Sequence, residues 1–235
     1  MSDTLVAPGE ARPVNDGQTD HLFLIEELED ARRTGALEES NYNALRTVAD
    51  WIRTFVVQPN VSLGRAGPVC PFTPVALDQG TLWLAAERSE GKSKPELIQL
   101  IQDYQRRLLA NPPLDGEAAI LKSMVIVFTD LPAARAKDFI GGALEQISVQ
   151  SYVDHGLVMG PFYKGNDGSA IYNSNFRPFT SPVSFLLMRR AVLADWKFFL
   201  NTEDWFRRWA DRYGEAATAA LADEMRRLPW NVRRD

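Results

Sequence analysis

The sequence predicts an α+β domain: a mainly antiparallel sheet flanked by helices, with helical segments at both ends of the chain. Three observations predict it. Met124 to Phe128 is an unbroken β-prone run of the kind buried on both faces of a sheet. Leu157 to Tyr163 and Ser184 to Arg189 are two further strand-like runs separated by polar, glycine- and proline-rich chain. The remaining order, helices before and after with one helix between strands, lacks the strict alternation of a parallel α/β fold.

Residues 1–19 carry Pro8, Gly9, Pro13 and Gly17 among small and polar residues and read as a disordered tail. Residues 20–235 then read as a single domain. From Asp20, Leu22, Leu24, Ile25 and Leu28 make an apolar stripe that Gly35 stops. Ser40 or Asn41 can cap a second helix through Val57, with Leu45, Val48, Ala49, Ile52 and Phe55 inward. Thr73 to Leu77 and Thr81 to Ala86, joined by Asp78-Gln79-Gly80, predict a hairpin. Ser93 caps a helix through Leu109, with Pro95 in its first turn. Pro132 opens a helix to about Ser151, which Gly141-Gly142 weakens or opens to close packing. Asp195 to Leu228 is helical, with Thr202-Glu203-Asp204 as a cap and acidic first turn.

At 235 residues the chain is long enough to bury a sizeable core, and 45% hydrophobic with 24% charged residues is ordinary for a globular protein. A net charge of −5 argues against a nucleic-acid partner. One cysteine precludes an internal disulfide and fits a reducing compartment. No basic stretch followed by an apolar run marks a signal peptide, and no apolar run approaches the roughly 20 residues of a membrane span. The expectation is a cytoplasmic protein with no membrane partner.

The chemistry-bearing stretch is Leu63 to Phe72, Leu-Gly-Arg-Ala-Gly-Pro-Val-Cys-Pro-Phe. Pro68 and Pro71 fix φ and remove two donors, so the segment is neither helix nor central strand. Cys70 can be a nucleophile, a thiolate ligand or a small buried hydrophobe. His155, before Gly156 at a helix-to-strand junction, is its plausible histidine partner, an iron ligand, or a cap on helical carbonyls. Arg65 and Arg177 lie in loops, while Arg189 and Arg190 end a strand. Alternation turns one of that pair inward, where it needs a carboxylate, phosphate or propionate. An internal salt bridge and an anionic ligand satisfy it equally. Dinucleotide, Walker, nucleophile-elbow and zincin templates are absent from the sequence. The segments around Trp196 and Trp205 have helical spacing suited to core packing or to a homodimer interface.

The chain resembles an uncharacterised bacterial family marked by Gly-Arg-x-Gly-Pro-Val-Cys-Pro-Phe, here Gly64 to Phe72. Its later segments correspond to Gly156 to Phe162, Phe176 to Pro182 and Leu187 to Arg190. A weaker likeness runs to the YqcI/YcgG family, which includes haem-dependent N-hydroxylases of amino acids. Tyr163 stands where those families place a histidine, and Arg190 where a second histidine is frequent. The likeness therefore implies haem, with the axial ligand open among His155, Tyr163 and Cys70. Arg177, Arg189 and Arg190 would meet propionates or a substrate carboxylate, and Arg65, Cys70 and Phe72 would line the pocket.

The leading expectation is a haem-dependent oxygenase, or related haem enzyme, acting on an amine or amino-acid-like small molecule in a biosynthetic pathway. The alternative is a non-catalytic small-molecule-binding or scaffold protein whose Cys-Pro-Phe loop is structural. A cofactor-free enzyme using Cys70 and His155 is a third reading.

Overall fold

The structure is a computed structural model that describes residues 22–200 and 202–227; the tail expected over residues 1–19 lies outside them. Four strands, β1 (Leu82–Glu87), β2 (Ser123–Phe128), β3 (Leu157–Phe162) and β4 (Phe185–Arg190), form one sheet in the order β1-β2-β4-β3. β1 and β2 are parallel, and the other pairings are antiparallel. The α+β, mainly antiparallel expectation is met.

Pairing registers sort the side chains. Leu82, Ser123, Arg189 and Val158 form one row across the sheet; Leu84, Val125, Leu187 and Gly160 form the next; Ala86, Val127, Phe185 and Phe162 form the third. Because side chains alternate, these rows share one face, called here the front. Trp83, Met124, Ile126, Leu186, Met188 and Met159 share the back.

The back is covered by α4 (Lys94–Ala110) and α7 (Gly142–His155), through Leu97, Ile101, Leu108, Leu144 and Ile147. Ser93 and Glu96 cap α4 as expected: Glu96 accepts from the Ser93 N–H at 2.7 Å. Before α7 come two short helices, α5 (Gly116–Ile120) and α6 (Ala133–Ala136). A π-turn over Lys137–Gly141 joins α6 to α7, so Gly141-Gly142 marks a change of helix type. A Cβ on Gly142 would lie 3.0 Å from the Lys94 ammonium, so the close packing falls there.

The front is covered by α1 (Leu28–Thr34), α2 (Glu39–Trp51) and α3 (Thr73–Asp78). Leu45, Val48 and Ala49 of α2 are fully buried against Leu84 and Val125; a leucine or valine so buried contributes about 1.5–3 kcal/mol. α2 begins at Glu39, one residue before the expected cap, and loosens into a π-turn over Ile52–Val56. A third layer, a 3-10 turn over Leu193–Phe198 with α8 (Glu203–Tyr213) and α9 (Glu215–Arg227), packs against α7 and the open ends of β3 and β4.

One element is corrected. Thr73 to Leu77 is not the first strand of a hairpin but the helix α3. Pro74 occupies its first turn, where a missing N–H costs nothing, and Ala76 and Gln79 donate to Phe72 and Val75 at 3.0 Å each. Asp78-Gln79-Gly80 ends a helix rather than turning a ribbon. The outer partner of β1 is Phe23, which exchanges two backbone bonds with Leu84 at 2.9 and 2.8 Å.

Candidate functional site

The Cys-Pro-Phe loop is pinned by its backbone to the π-turn that ends α2 and the residues just after it. Val69 donates to Gln58 at 3.1 Å and Cys70 to Val56 at 3.0 Å. Arg65 closes the loop on itself, donating to the carbonyls of Ala66 at 2.9 Å and Val69 at 3.1 Å. Its guanidinium is therefore a staple of the loop. Gly64, at φ +74°, lies so close to Tyr172 that a Cβ would stand 2.7 Å from that carbonyl. Asn173 donates to the Ser62 carbonyl at 2.7 Å, and Phe55 meets Phe176 at 6.0 Å between centroids. The loop between β3 and β4 thus stands against the Cys70 loop.

Arg189 is the inward member of the arginine pair. Its guanidinium meets Asp195 with Nη2 to Oδ1 at 2.6 Å and Nη1 to Oδ2 at 3.0 Å. The side chains retain only 16% and 2% exposure. Burial works against the charge on Arg189, but the hydrogen bonds and charge of Asp195 outweigh it and hold the pKa above the ordinary value, with a smaller contribution from Cys70. The Phe72 ring lies 6.0 Å from the guanidinium carbon. Cys70, Phe72 and Arg189 are therefore brought together.

Two tyrosines complete this end of the sheet. Burial, then the charge of Asp195, pushes Tyr213 up to about 12. Burial, then Tyr213, does the same for Tyr152, also to about 12. The Tyr152 hydroxyl is buried and has no hydrogen-bond partner among the described residues. Arg212 donates to the carbonyls of Tyr152 and Val153 at 2.5 and 2.9 Å, capping α7.

Between this polar end and the aromatic core, the front of the edge strand β3 is open at Gly160. Val158 packs into the third layer, and Phe162 stacks on Phe185 at 4.6 Å within the front core. Gly160 lies between them beside half-buried Leu187, and a Cβ built on it meets nothing within 4 Å. Trp51, 6.1 Å from Phe162, and Phe179, 5.4 Å from it, wall the aromatic side. The gap above Gly160 thus lies on the front of the edge strand, between the row of Arg189 and Val158 and the row of Phe185 and Phe162.

The other expected site residues lie elsewhere. His155 is exposed at the C-terminus of α7, and among the described residues no histidine hydrogen-bonds Cys70. Tyr163 follows the far end of β3 and is buried in the back core. Arg177 is exposed and donates to the Ser174 carbonyl of its own turn. Arg190 faces the back, beside buried Lys122, whose pKa falls through burial and then the Arg190 charge. Of the three alternative iron ligands, His155 lies at an exposed helix end and Tyr163 in the back core, and Cys70 alone lies in the loop beside Arg189.

Two surface clefts lie away from this gap. One of about 590 Å³, past the ends of β1 and β2, contains Asp130, which already accepts from the Ser89 and Glu90 N–H groups at 2.6 and 3.0 Å. The other, of about 390 Å³, borders Tyr163, Lys137 and Lys164. Neither touches the Cys70 loop.

The residues that sequence reasoning missed are Asp195, Tyr152, Arg212, Tyr213 and Gly160. One signal was available: an inward arginine requires a carboxylate, and Asp195 follows Arg189 by six residues.

Among the described residues no helix is long and apolar enough to cross a membrane. No curated protein and no solved structure matches the chain. A family model does match, over residues 45–224, which takes in the second half of α2, the Cys70 loop, the whole sheet and most of α9. The chain belongs to the family described as "Domain of unknown function (DUF6875)".

Proposed function

We propose that the protein binds a small molecule on the front of its sheet, over Gly160, between the Cys-Pro-Phe loop, the β3–β4 loop and the C-terminal helices. The observation that carries this reading is the open space above Gly160, on the edge strand between two core clusters. Glycine in a strand costs backbone entropy and packing, so a strand that keeps one beneath open space favours close approach by another group.

The haem-oxygenase expectation rests on the proline-locked Cys70 loop, the arginine pair and a family likeness, and of its alternative ligands Cys70 is the one beside Arg189. Titration with the neutral fluorophore aminoanthracene tests the proposal. Saturable enhancement is expected, with loss in Gly160→Leu at unchanged thermal midpoint. Equal binding by both proteins contradicts it. Haemin separates the readings: the proposal expects no Soret band that depends on Cys70, whereas a band abolished by Cys70→Ala favours the haem enzyme.

A further inference from the structure

We propose that Arg189 recognises a carboxylate, and that the ligand of the Gly160 gap is an organic acid with an apolar body. This rests on the small-molecule reading above. A guanidinium has five N–H donors in one plane. Nη1 uses both of its donors, on Asp195 Oδ2 at 3.0 Å and on the Arg190 carbonyl at 2.9 Å. Nη2 uses one, on Asp195 Oδ1 at 2.6 Å. The Nε–H and the second Nη2–H have no acceptor among the described residues. They lie side by side on one edge, the parallel pair that matches the two oxygens of a carboxylate.

Asp195 therefore does not use up Arg189; it aims it. Its Oδ2 also accepts from the Val192 N–H at 2.8 Å, so the carboxylate is itself held. With the end of the planar fork fixed, the direction of its free edge is fixed too, and little entropy remains to be lost on binding.

The surrounding charge favours an anion. Arg189 and Arg212 both act on Tyr213 electrostatically, against the single carboxylate of Asp195, whereas Arg190 and Lys122 lie on the back of the sheet. One free bidentate edge suits one planar carboxylate. The Leu187 and Phe162 side of the gap takes an apolar body.

The test displaces aminoanthracene from the intact protein with naphthoate and with its neutral isostere naphthamide, while following the Arg189 Nε–H proton by NMR. Naphthoate is expected to bind at least about tenfold more tightly, to shift the Nε–H resonance, and to lose its advantage in Arg189→Lys. Equal affinities for the two isosteres overturn the carboxylate assignment while leaving small-molecule binding intact. A naphthoate preference with an unmoved Nε–H resonance overturns the role of Arg189, whether or not Arg189→Lys folds. Failure of aminoanthracene to bind removes the site itself, and this inference with it.

Discussion

Arg189 and Asp195 form a two-pronged ion pair that ties the last row of the sheet to the C-terminal layer. Arg189 is the penultimate residue of β4, on the front face, and Asp195 projects from the 3-10 turn Leu193–Phe198. The strand run forces one arginine inward, and the turn that follows supplies the carboxylate that makes the burial tolerable. Such a pair adds little to stability relative to well-packed apolar side chains, but removing one partner leaves a charge stranded.

Asp195→Ala is therefore expected to lower the unfolding free energy by about 3–5 kcal/mol. The double variant Arg189→Met/Asp195→Leu is expected to recover most of that loss. Urea unfolding of the three proteins checks this. A single variant within about 1 kcal/mol of the native protein would show that the charge is compensated by another group.

Two tight glycines contrast with the open position at Gly160. A Cβ on Gly156, at φ +62°, would lie 2.7 Å from the Arg212 guanidinium, and one on Gly64 would lie 2.7 Å from the Tyr172 carbonyl. Alanine at either is expected to cost more than about 1 kcal/mol. Gly160→Ala has no left-handed backbone and no neighbour to meet, so its stability should stay within about 0.5 kcal/mol of native. Thermal midpoints of the three variants decide it; a large loss at Gly160 would mean that the gap is closed in solution.

Tyr152 and Tyr213 give the alkaline limb of stability. Each is raised from the ordinary value of 10 to about 12, so folding favours the neutral phenol. Their contribution is complete below pH 10 and is lost as pH rises toward 12. Tyr152→Phe removes a buried hydroxyl without a partner and is expected to leave stability unchanged or raise it by about 1 kcal/mol. Replacing both tyrosines with phenylalanine should flatten the alkaline decline. An unchanged slope in denaturation midpoints would assign it to other groups.

Much of the sheet is legible in the sequence, because Met124 to Phe128 and Phe185 to Met188 are apolar on both faces and fit nothing but buried strand. Thr73 to Leu77 misled because its residues suit strand or helix equally, and only the contacts of Pro74 and Phe23 decide between them. At the site, the reading that one of two arginines must point inward identifies Arg189 without its partner. Cys70 and Phe72 were legible as a rigid pair but not as neighbours of Arg189, since more than a hundred residues of chain separate them. Gly160 was legible only as a member of the Gly156 to Phe162 segment, not as an open position. A glycine in a strand marks a bulge, a close approach or a gap, and the difference lies in what faces it, which no local pattern encodes.

The proposed ligand site lies over Gly160 on the front of the sheet. The most direct measurement is an amide NMR titration with aminoanthracene, mapping which resonances move. Shifts concentrated at Gly160, Leu187, Arg189 and Cys70 are the predicted result. Shifts concentrated around Lys92 and Arg135 at the cleft past β1 and β2, or around Lys137 and Lys164, would place the ligand elsewhere and contradict the account.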